Sequence, residues 1–507
     1  MHSRGGEERQ AGDPDLSVLI AVYGAFGALE TAVTALIQNT RAPYELVIVD
    51  NASPLAPSAD DGPAVHGSDG RPDGGPERGG EVPATPVAKV ESGPPAVGAQ
   101  AVGDAEGVVE ACLSRTDRPP RTTFLRNERN LGFGTAMNQA ALYSLGRYLC
   151  LLNSDAFVTP GWLEPLVERL ANQKSVGAVV PKLLDEDGRL EEAGVLLSRD
   201  GRTQDFGHGD QPDKPEYDFA RVLDYGSAAC MLVRRSDFLR VGGFDPAFGL
   251  GYCEDVDFCL RLRDSGLSTL YEPRSRVQHL RGASSDPAQA AALIEQNTAL
   301  LRERWGPLLR ARPEVAGRGL PPHRMLYGRD ATTPEQILLF ARSMGAAERS
   351  GWWIALANDL VRRSGGRVTL ALAEGGLPPG VGSRLQIAGV ETVSGVESWH
   401  EWFSPRRLLY STVVLDAAVG GAGRELLDTY EPGAQVVLAV LGQAKVDEDG
   451  WRRADVVVCD VESTALEARR RGLRADPFVP GTPGGTGAQV SAMLTGWGAM
   501  VPLTSVD

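Results

Sequence analysis

The chain has 507 residues, 42% of them hydrophobic, and carries a formal charge of −15. This length suffices for two or three domains with sizeable cores, and the acidic balance disfavours a protein that binds nucleic-acid backbones. The six cysteines form no CxxC pair, so neither a disulfide framework nor a structural zinc site is indicated. No stretch approaches the roughly 20 apolar residues of a membrane-spanning helix, and the start has no signal-peptide core. We therefore expect a cytoplasmic protein, either free or peripheral at the inner face of the membrane.

Alternating strands and helices follow a polar N-terminus, residues 1–15, which we expect to be disordered. Apolar runs predict strands at 16–22 and 45–50, with a helix of amphipathic spacing between them. The pattern then resumes with a strand at 122–126, a helix at 132–145 and a strand at 148–152. Continuous apolar strands that alternate with helices indicate an α/β fold with a mostly parallel sheet covered on both faces. In such sheets ligands collect beyond the carboxyl ends of the strands.

A segment poor in hydrophobic residues interrupts this pattern between the second and third strands. Sixteen of the forty residues from 61 to 100 are Gly or Pro, and no aromatic residue occurs between Glu45 and Phe124. This composition is typical of disorder. We predict a disordered surface insertion over residues 53–119, with a binding lid as the alternative.

A second α/β pattern follows Pro321 and Pro322. Its apolar runs predict strands at 367–373, 408–416, 435–441 and 455–460. We place a domain boundary between Gly306 and Arg329. The resulting divisions are a first unit at 16–310, an accessory unit at 325–482 and a C-terminal tail at 483–507.

Polar residues directly follow the buried strand that ends near Leu152. Side chains alternate along a strand, so Asn153 and Asp155 can project into one crevice while Ser154 points away. Mg²⁺ and Mn²⁺ prefer carboxylate and phosphate oxygens, and one carboxylate plus the phosphates of a ligand often suffices for such a site. A turn at the end of the strand is the alternative, because these residue types also favour turns.

Glu254 and Asp255 lie at the predicted N-terminus of an amphipathic helix. Acidic residues there are ordinarily stabilised by the helix dipole, which is the structural alternative. The same dipole keeps a carboxylate ionised, as a general base must be before it takes a proton. His279 lies in a polar stretch after a short strand, where a structural or solvated role is the alternative. An imidazole there can complete a metal site that has one carboxylate and a diphosphate.

The run RNERNLGFGTAMNQA joins a strand to a helix through Gly132 and Gly134. Glycines let the backbone approach a ligand closely, and a helix N-terminus can receive anionic groups. The run lacks the Lys-Ser/Thr pair of a P-loop. A plain loop and helix start is the alternative.

Seven segments together resemble glycosyltransferase family 2 with the GT-A fold, in particular its bacterial branch of rhamnosyl- and galactofuranosyl-transferase-like enzymes. They occur in the family's order between Leu16 and Ser285: LSVLIAVYG, ELVIVDNAS, RNERNLGFGTAMNQA, LLNSD, GSAACMLVRRSDFLRVGGFDPAF, YCEDVDFCLRLRDSG and QHLRGAS. The resemblance implies an inverting transfer from a nucleotide-diphosphate sugar, assisted by a divalent cation, Mn²⁺ or Mg²⁺.

The resemblance also implies roles for individual residues. Asp255 would be the general base with Glu254 as its neighbour, while Asp155 and His279 would bind the metal. Asn153 stands where the family's DxD motif has its first Asp, which removes one charge. The residues expected to hold the donor are Ala21, Val22, Tyr23, Asp50, Asn51, Asn130, Gly132, Asn138, Asn153 and Ser154.

The C-terminal segment ADVVVCDVESTALEARRRGLRADPFVPG resembles one Rossmann-like half of a GT-B glycosyltransferase. This implies an accessory domain for acceptor recognition or assembly. A sugar-phosphate nucleotidyltransferase is disfavoured, because IAVYGAFGA lacks the Gly-rich Arg-Lys signature of those enzymes. A non-catalytic nucleotide-sugar-binding or scaffold protein remains the alternative function, since Asn153 replaces a carboxylate. Expected partners are a nucleotide-diphosphate sugar and a glycan, lipid-linked or small-molecule acceptor, with no nucleic acid; the oligomeric state stays open.

Overall fold

The computed structural model describes residues 15–54, 104–281, 287–315 and 322–477, apart from short gaps at 332, 334, 345–346, 365, 420, 430–434, 441–445, 447–452 and 460–461. The predicted tail at 483–507 lies outside the described residues. So do residues 1–14 of the predicted disordered N-terminus and residues 55–103 of the predicted insertion.

Together with the helix that follows residue 321, the first unit contains one large sheet, a two-stranded hairpin and eight described α-helices. Its strands are β1 Leu16–Val22, β2 Tyr44–Asp50, β3 Arg121–Arg126, β4 Tyr148–Asn153, β5 Ala156–Val158, β6 Val176–Leu184, β7 Leu190–Glu192, β8 Val195–Leu197, β9 Thr203–Asp205, β10 Arg221–Leu223, β11 Cys230–Arg234 and β12 Ser268–His279. Its helices are α1 Phe26–Asn39, α2 Ala105–Leu113, α3 Phe133–Tyr143, α4 Leu163–Asn172, α5 Arg235–Arg240, α6 Glu254–Asp264, α7 Pro287–Arg310 and α8 Pro322–Asp330.

The large sheet is mixed and has ten strands, eight of them in the order β10-β12-β6-β11-β4-β1-β2-β3. The pairs β3–β2, β2–β1 and β1–β4 are parallel, as the sequence predicted, and so is the pair of β6 with β12. The inserted β11 runs antiparallel to both β4 and β6. Its two neighbours β4 and β6 therefore run in the same direction, so the sheet is mixed and the carboxyl ends of β4 and β12 lie at the same edge.

Helix α1 shows why the first βαβ unit forms at the predicted place. Leu29, Ala32, Val33 and Leu36 are its buried residues together with Ala35. This spacing gives one apolar face to a helix of 3.6 residues per turn. That face packs into the core that β1 and β2 also enter.

The C-terminal part of the predicted insertion is ordered, so the prediction of disorder over 53–119 was wrong there. Helix α2 begins after Asp104, whose carboxylate accepts a hydrogen bond from the Gly107 N–H at 2.8 Å. Val108, Val109 and Cys112 are buried in the core beside α1. The sequence did not predict this helix because its apolar pattern is only nine residues long and contains no aromatic residue. It also directly follows a long Gly- and Pro-rich run.

The second unit is a seven-stranded sheet in the order β15-β14-β13-β16-β17-β18-β19, and every pair in it is parallel. Its strands are β13 Gln336–Ala341, β14 Arg367–Leu372, β15 Val390–Val393, β16 Thr412–Asp416, β17 Gln435–Val440, β18 Val456–Cys459 and β19 Arg474–Pro477. Its helices are α9 Ala347–Ser364, α10 Val381–Ala388, α11 Trp399–Phe403, α12 Gly421–Thr429 and α13 Glu462–Arg470. The order is that of a doubly wound sheet. The likeness to half of a GT-B enzyme stays a prediction.

Short helical turns of three residues complete the secondary structure at Pro215–Tyr217, Pro246–Phe248 and Ser404–Arg406. In the second unit β13, β15 and β19 were not predicted from the sequence. Among the described helices, none combines the length and the apolar character needed to cross a bilayer.

The two units share one apolar core. Phe206, Tyr217 and Tyr271 of the first unit are buried in the same cluster as Phe340 and Trp399 of the second. Polar contacts cross the same interface, since Arg169 donates to the carbonyl of Ile387 at 2.7 Å and Gln386 O accepts from Ala220 N at 3.0 Å. The predicted boundary near residue 320 therefore separates two sheets that are packed together.

The ordered helix α2 gives a stability prediction. Replacing Val109 with Ala removes two buried methyl groups from a side chain that is 0% exposed. We expect the free energy of unfolding to fall by about 2 kcal/mol, measured by urea denaturation. The matched control is Glu110→Ala at the next, exposed position, which should change it by less than about 0.5 kcal/mol. Equal effects of the two changes would show that α2 does not stabilise the core.

Candidate active site

A cavity of about 760 Å³ lies at the carboxyl ends of β1 and β4 and reaches the N-terminus of α6. Residues of β7, β9 and α7 form its other walls. Most of the residues predicted to act on the donor meet here. The cavity is lined by Ala21, Val22, Tyr23, Asn51, Asn130, Asn153, Ser154, Asp155, Glu254, Asp255 and His279.

Three predicted donor-binding residues do not line this cavity, and each has a structural contact instead. Asp50 accepts a hydrogen bond from Ser53 N at 2.8 Å. The amide of Asn138 exchanges two hydrogen bonds with the main chain of Phe244, at 2.7 and 2.9 Å. Gly132 has φ of +85°, and a Cβ there would collide with the carbonyl of Gly249. The glycine is required for the close packing of two loops.

Asn51 organises the loops on one side of the cavity. Its side-chain oxygen accepts from Leu131 N at 3.0 Å and from Asn127 Nδ2 at 2.9 Å. Its amide nitrogen donates to Asn130 Oδ1 at 2.8 Å. These bonds tie the end of β2 to the loop that precedes α3, so the cavity wall is fixed before a ligand arrives.

The antiparallel pairing of β5 with β12 brings Asp155 and His279 together. His279 is the register partner of Ala156, and Leu280 N donates to the carbonyl of Asp155 at 2.9 Å. As a result His279 Nε2 lies 3.3 Å from Asp155 Oδ1 and 3.3 Å from Asn153 Nδ2. The sequence motifs did not reveal this pairing, because the two strands lie far apart along the chain.

The surroundings of His279 are acidic. Burial lowers the pKa of the imidazole, but the carboxylates of Asp155 and Glu191 outweigh burial and raise it to about 10. The Glu191 carboxylate is hydrogen-bonded to His279 Nδ1 at 2.8 Å. Burial, Asp205 and Glu191 together raise the pKa of the nearby Glu192 carboxyl well above its usual range.

This donor set fits a divalent cation that shares its coordination with a diphosphate. Asp155 offers a carboxylate and His279 a ring nitrogen, which suit Mn²⁺ or Mg²⁺ together with phosphate oxygens. No three acidic, His or Cys side chains converge as a ready metal cage in the part of the chain that the structure describes. A cation here would need further ligands, which the phosphate oxygens of a bound diphosphate could supply.

A strained turn presents Glu254 and Asp255 at the start of α6. The two preceding residues, Tyr252 and Cys253, have φ of +70° and +69°, a backbone region that costs non-glycine residues about 1–3 kcal/mol each. Asp255 Oδ1 accepts from Val256 N at 2.8 Å and Oδ2 accepts from Ala228 N at 3.3 Å. These bonds fix the orientation of the carboxylate at the cavity wall.

Glu254 is buried and its neighbour Asp255 is half-buried. Burial raises the pKa of Asp255 to about 6, although the N–H groups of Ala228 and Val256 partly offset this. Burial and the adjacent Asp255 also raise the pKa of Glu254. Glu254 Oε2 has no hydrogen-bond partner among the described residues. The neutral form of Glu254 is thus favoured, so Asp255 is the better candidate for a proton acceptor.

Asn297 of α7 holds the strained turn, and sequence analysis did not identify it. Its side chain is 2% exposed, and its amide nitrogen contacts the carbonyl oxygens of Phe248, Gly251 and Tyr252 at 2.8, 2.9 and 2.9 Å. Glu191, Glu192 and Asp205 were missed as well, although they line the cavity. No local motif marks these residues, since their roles arise from contacts between distant segments.

Comparison with known proteins gives the same class of protein as the sequence motifs, a glycosyltransferase. Residues 103–237 match the family described as Glycosyl transferase family 2. The match begins beyond β1 and β2, from which the inserted segment separates it. This match over residues 103–237 confirms the resemblance to glycosyltransferase family 2 that the sequence motifs indicated.

The relatives differ in how much of their length the chain spans. An L-rhamnosyltransferase of Mycobacterium tuberculosis, named for N-acetylglucosaminyl-diphospho-decaprenol, is 29% identical over 225 residues, which cover 39% of this chain and 70% of that enzyme. The protein y4gI of Sinorhizobium fredii is 29% identical over 194 residues, 36% of this chain and 21% of its own length. A structure of GalNAc-T7 with UDP, GalNAc and Mn²⁺ aligns with a TM-score of 0.39 and 17% identity, over 59% of this chain and 50% of that one.

The clamp made by Asn297 gives a second prediction. In Asn297→Ala three buried carbonyl groups lose their shared donor, so we expect the free energy of unfolding to fall by about 1–3 kcal/mol. The measurement is urea denaturation followed by circular dichroism. Gln296→Ala, at an exposed neighbouring position, is the control and should be close to neutral. An unchanged midpoint for Asn297→Ala would mean that the turn is held without this side chain.

Proposed function

We propose that the protein is an inverting glycosyltransferase that moves a sugar from a nucleotide-diphosphate sugar to an acceptor hydroxyl. The observation that carries the proposal is the convergence, in one cavity, of Asp155 and His279 with the carboxylate of Asp255. A site for a diphosphate and a base for an alcohol are the two parts that such a transfer needs.

Asp255 has the geometry of a general base. Two main-chain N–H groups fix its carboxylate, and it lies in the first turn of α6, where the helix dipole favours its ionised form. In the proposed reaction it takes the proton of the acceptor hydroxyl as that oxygen attacks the anomeric carbon. The attack comes from the face opposite the leaving diphosphate, so the anomeric configuration inverts.

The opposite wall would receive the leaving group. Asn51 and Asn130 border the nucleoside end, and Asp155 and His279 would hold a divalent cation beside the diphosphate. Such a cation supplies positive charge that offsets the charge growing on the departing phosphate oxygen. Because Asn153 contributes an amide in place of a second carboxylate, the protein itself supplies fewer negative charges to the cation.

The mycobacterial relative suggests which substrates to test first. Its name describes transfer of L-rhamnose to a lipid-linked N-acetylglucosaminyl diphosphate. A deoxyhexose donor and a lipid-linked acceptor are therefore the first pair, and other nucleotide sugars and free glycans follow. A thermal-shift screen of nucleotide sugars, with and without Mn²⁺, identifies the donor before acceptors are tried.

The alternative is a protein that binds nucleotide sugars without transferring them, which the amide at Asn153 favours. The same screen, followed by a transfer assay, separates the two functions. A binding protein would show a thermal shift with a donor and no transfer to any acceptor of the panel.

Replacing Asp255 with Asn tests the base. The amide keeps the shape of the side chain but cannot take the proton, so we expect turnover to fall about 10²- to 10⁴-fold with donor affinity unchanged. Asp264→Asn changes an exposed carboxylate at the other end of the same helix and should retain full activity. Turnover of Asp255→Asn within about threefold of the wild type would reject Asp255 as the base.

The pH dependence offers an independent test. A base must be deprotonated, so kcat/KM should fall as the pH drops below the raised pKa of Asp255, about 6. The titratable groups that interact with its charge include Glu254, Glu192, Tyr225, Cys253 and Cys259. An acid limb near pH 4, close to the ordinary value of an Asp carboxyl, would contradict the buried environment seen here.

A further inference from the structure

Glu191 is a charged residue buried in the wall of the proposed donor site, and none of the motifs discussed above includes it. It lies on β7 and is 3% exposed. Burial of a carboxylate is costly unless partners compensate its charge. Its partners therefore indicate what the residue does.

The Glu191 carboxylate has two such partners. Both of its oxygens lie close to His279 Nδ1, at 2.8 and 3.0 Å. One of them also accepts from Arg281 Nε at 2.9 Å. Arg281 in turn donates to Asp205 Oδ2 at 2.8 Å. The bonds form a chain from the exposed guanidinium at the rim to the imidazole inside the cavity.

The main chain of Glu191 is held as well. Its carbonyl oxygen lies 3.2 Å from His208 Nδ1, and β7 pairs with β6 through Leu190 and Glu192. The carboxylate is thus fixed from the backbone and from Arg281. A fixed carboxylate can determine the orientation of the ring that it contacts.

This contact selects one form of the imidazole. A carboxylate that faces Nδ1 keeps a hydrogen on that nitrogen, so a ring that gives up its other proton to a cation has its lone pair on Nε2. Nε2 is the nitrogen that faces the cavity and Asp155, at 3.3 Å. Metal-binding histidines generally donate their other N–H to a carboxylate or carbonyl in this way.

We propose that Glu191 is a positioning residue that holds His279 with Nε2 directed at the cation of the donor complex. The inference rests on the proposed function, because it assumes that Asp155 and His279 bind a divalent cation. Glu191 does not touch the cation or the donor. It acts through the orientation of the His279 ring.

A purely structural role would be an ion pair between Glu191 and Arg281 that stabilises β7. That role predicts a loss of stability with no specific effect on metal binding. The two roles are separable, because only the positioning role requires His279.

The test measures the Mn²⁺ affinity of the full-length protein saturated with the nucleoside diphosphate of the donor found in the thermal-shift screen, from the loss of the free-ion signal in electron paramagnetic resonance. A titration of the nucleotide alone is subtracted. In Glu191→Gln the side chain keeps its size but loses its charge, and we expect Mn²⁺ to bind about 10- to 100-fold more weakly. Glu186→Gln makes the same chemical change on the exposed turn before β7 and should bind Mn²⁺ like the wild type. Thermal unfolding of each variant checks that it is folded.

A double-mutant cycle assigns the effect to His279. In the His279→Ala background, Glu191→Gln should change the Mn²⁺ affinity by less than about twofold, because its target is absent. An equal loss in both backgrounds, or wild-type affinity in Glu191→Gln, would overturn the proposal. A wild-type protein that transfers sugar without binding Mn²⁺ would overturn it too, and would leave the proposed transfer intact. Failure of transfer itself would appear separately, in the donor and acceptor assays.

Discussion

The strand β12 is the element on which the candidate site depends. It is paired with β6 along most of its length and with β10 near its start, and its last three residues also pair with the short β5. The pairing with β5 sets the distance between His279 and Asp155. His279 is paired with Ala156, and Asp155 immediately precedes Ala156 in the chain. A shift of register by one residue would turn the imidazole to the other face of the sheet. The backbone of the sheet thus determines whether Asp155 and His279, the two proposed metal ligands, lie close together.

The second constraint is the turn before α6. Its unfavourable backbone conformation persists only because neighbouring groups hold it, and the amide of Asn297 supplies three such contacts. Strained turns of this kind cluster at functional sites, where they direct a side chain that a relaxed turn would point elsewhere. Here the side chain is Asp255. Helix α7 therefore contributes to the site without supplying a proposed reacting group.

The sequence predicted the parts of the site that local patterns encode. Apolar runs placed β1 and β4 with an error of at most one residue, and the polar residues after them line the cavity. Asn138 was different, because an Asn one turn inside a helix faces either a ligand or a loop, and only the fold shows that it bonds to Phe244. The role proposed for Glu191 could not be predicted from the sequence, since it depends on contact with a histidine from a distant strand. Helix α2 was hidden by the composition of the segment before it.

The core shared by the two sheets has a thermodynamic consequence. Tyr271 of β12 is buried in the cluster that also contains Phe340 of β13, so opening the second unit would expose apolar surface beneath the strand that ends at His279. Two bodies that share a core tend to unfold together, and a ligand that binds only the native state stabilises everything that unfolds with its site. Occupation of the donor cavity would therefore protect the second unit against proteolysis, even though that unit does not line the cavity. Conversely, a substitution in the second unit that leaves a sizeable fraction of the protein unfolded would lower the apparent affinity of the cavity for its ligand.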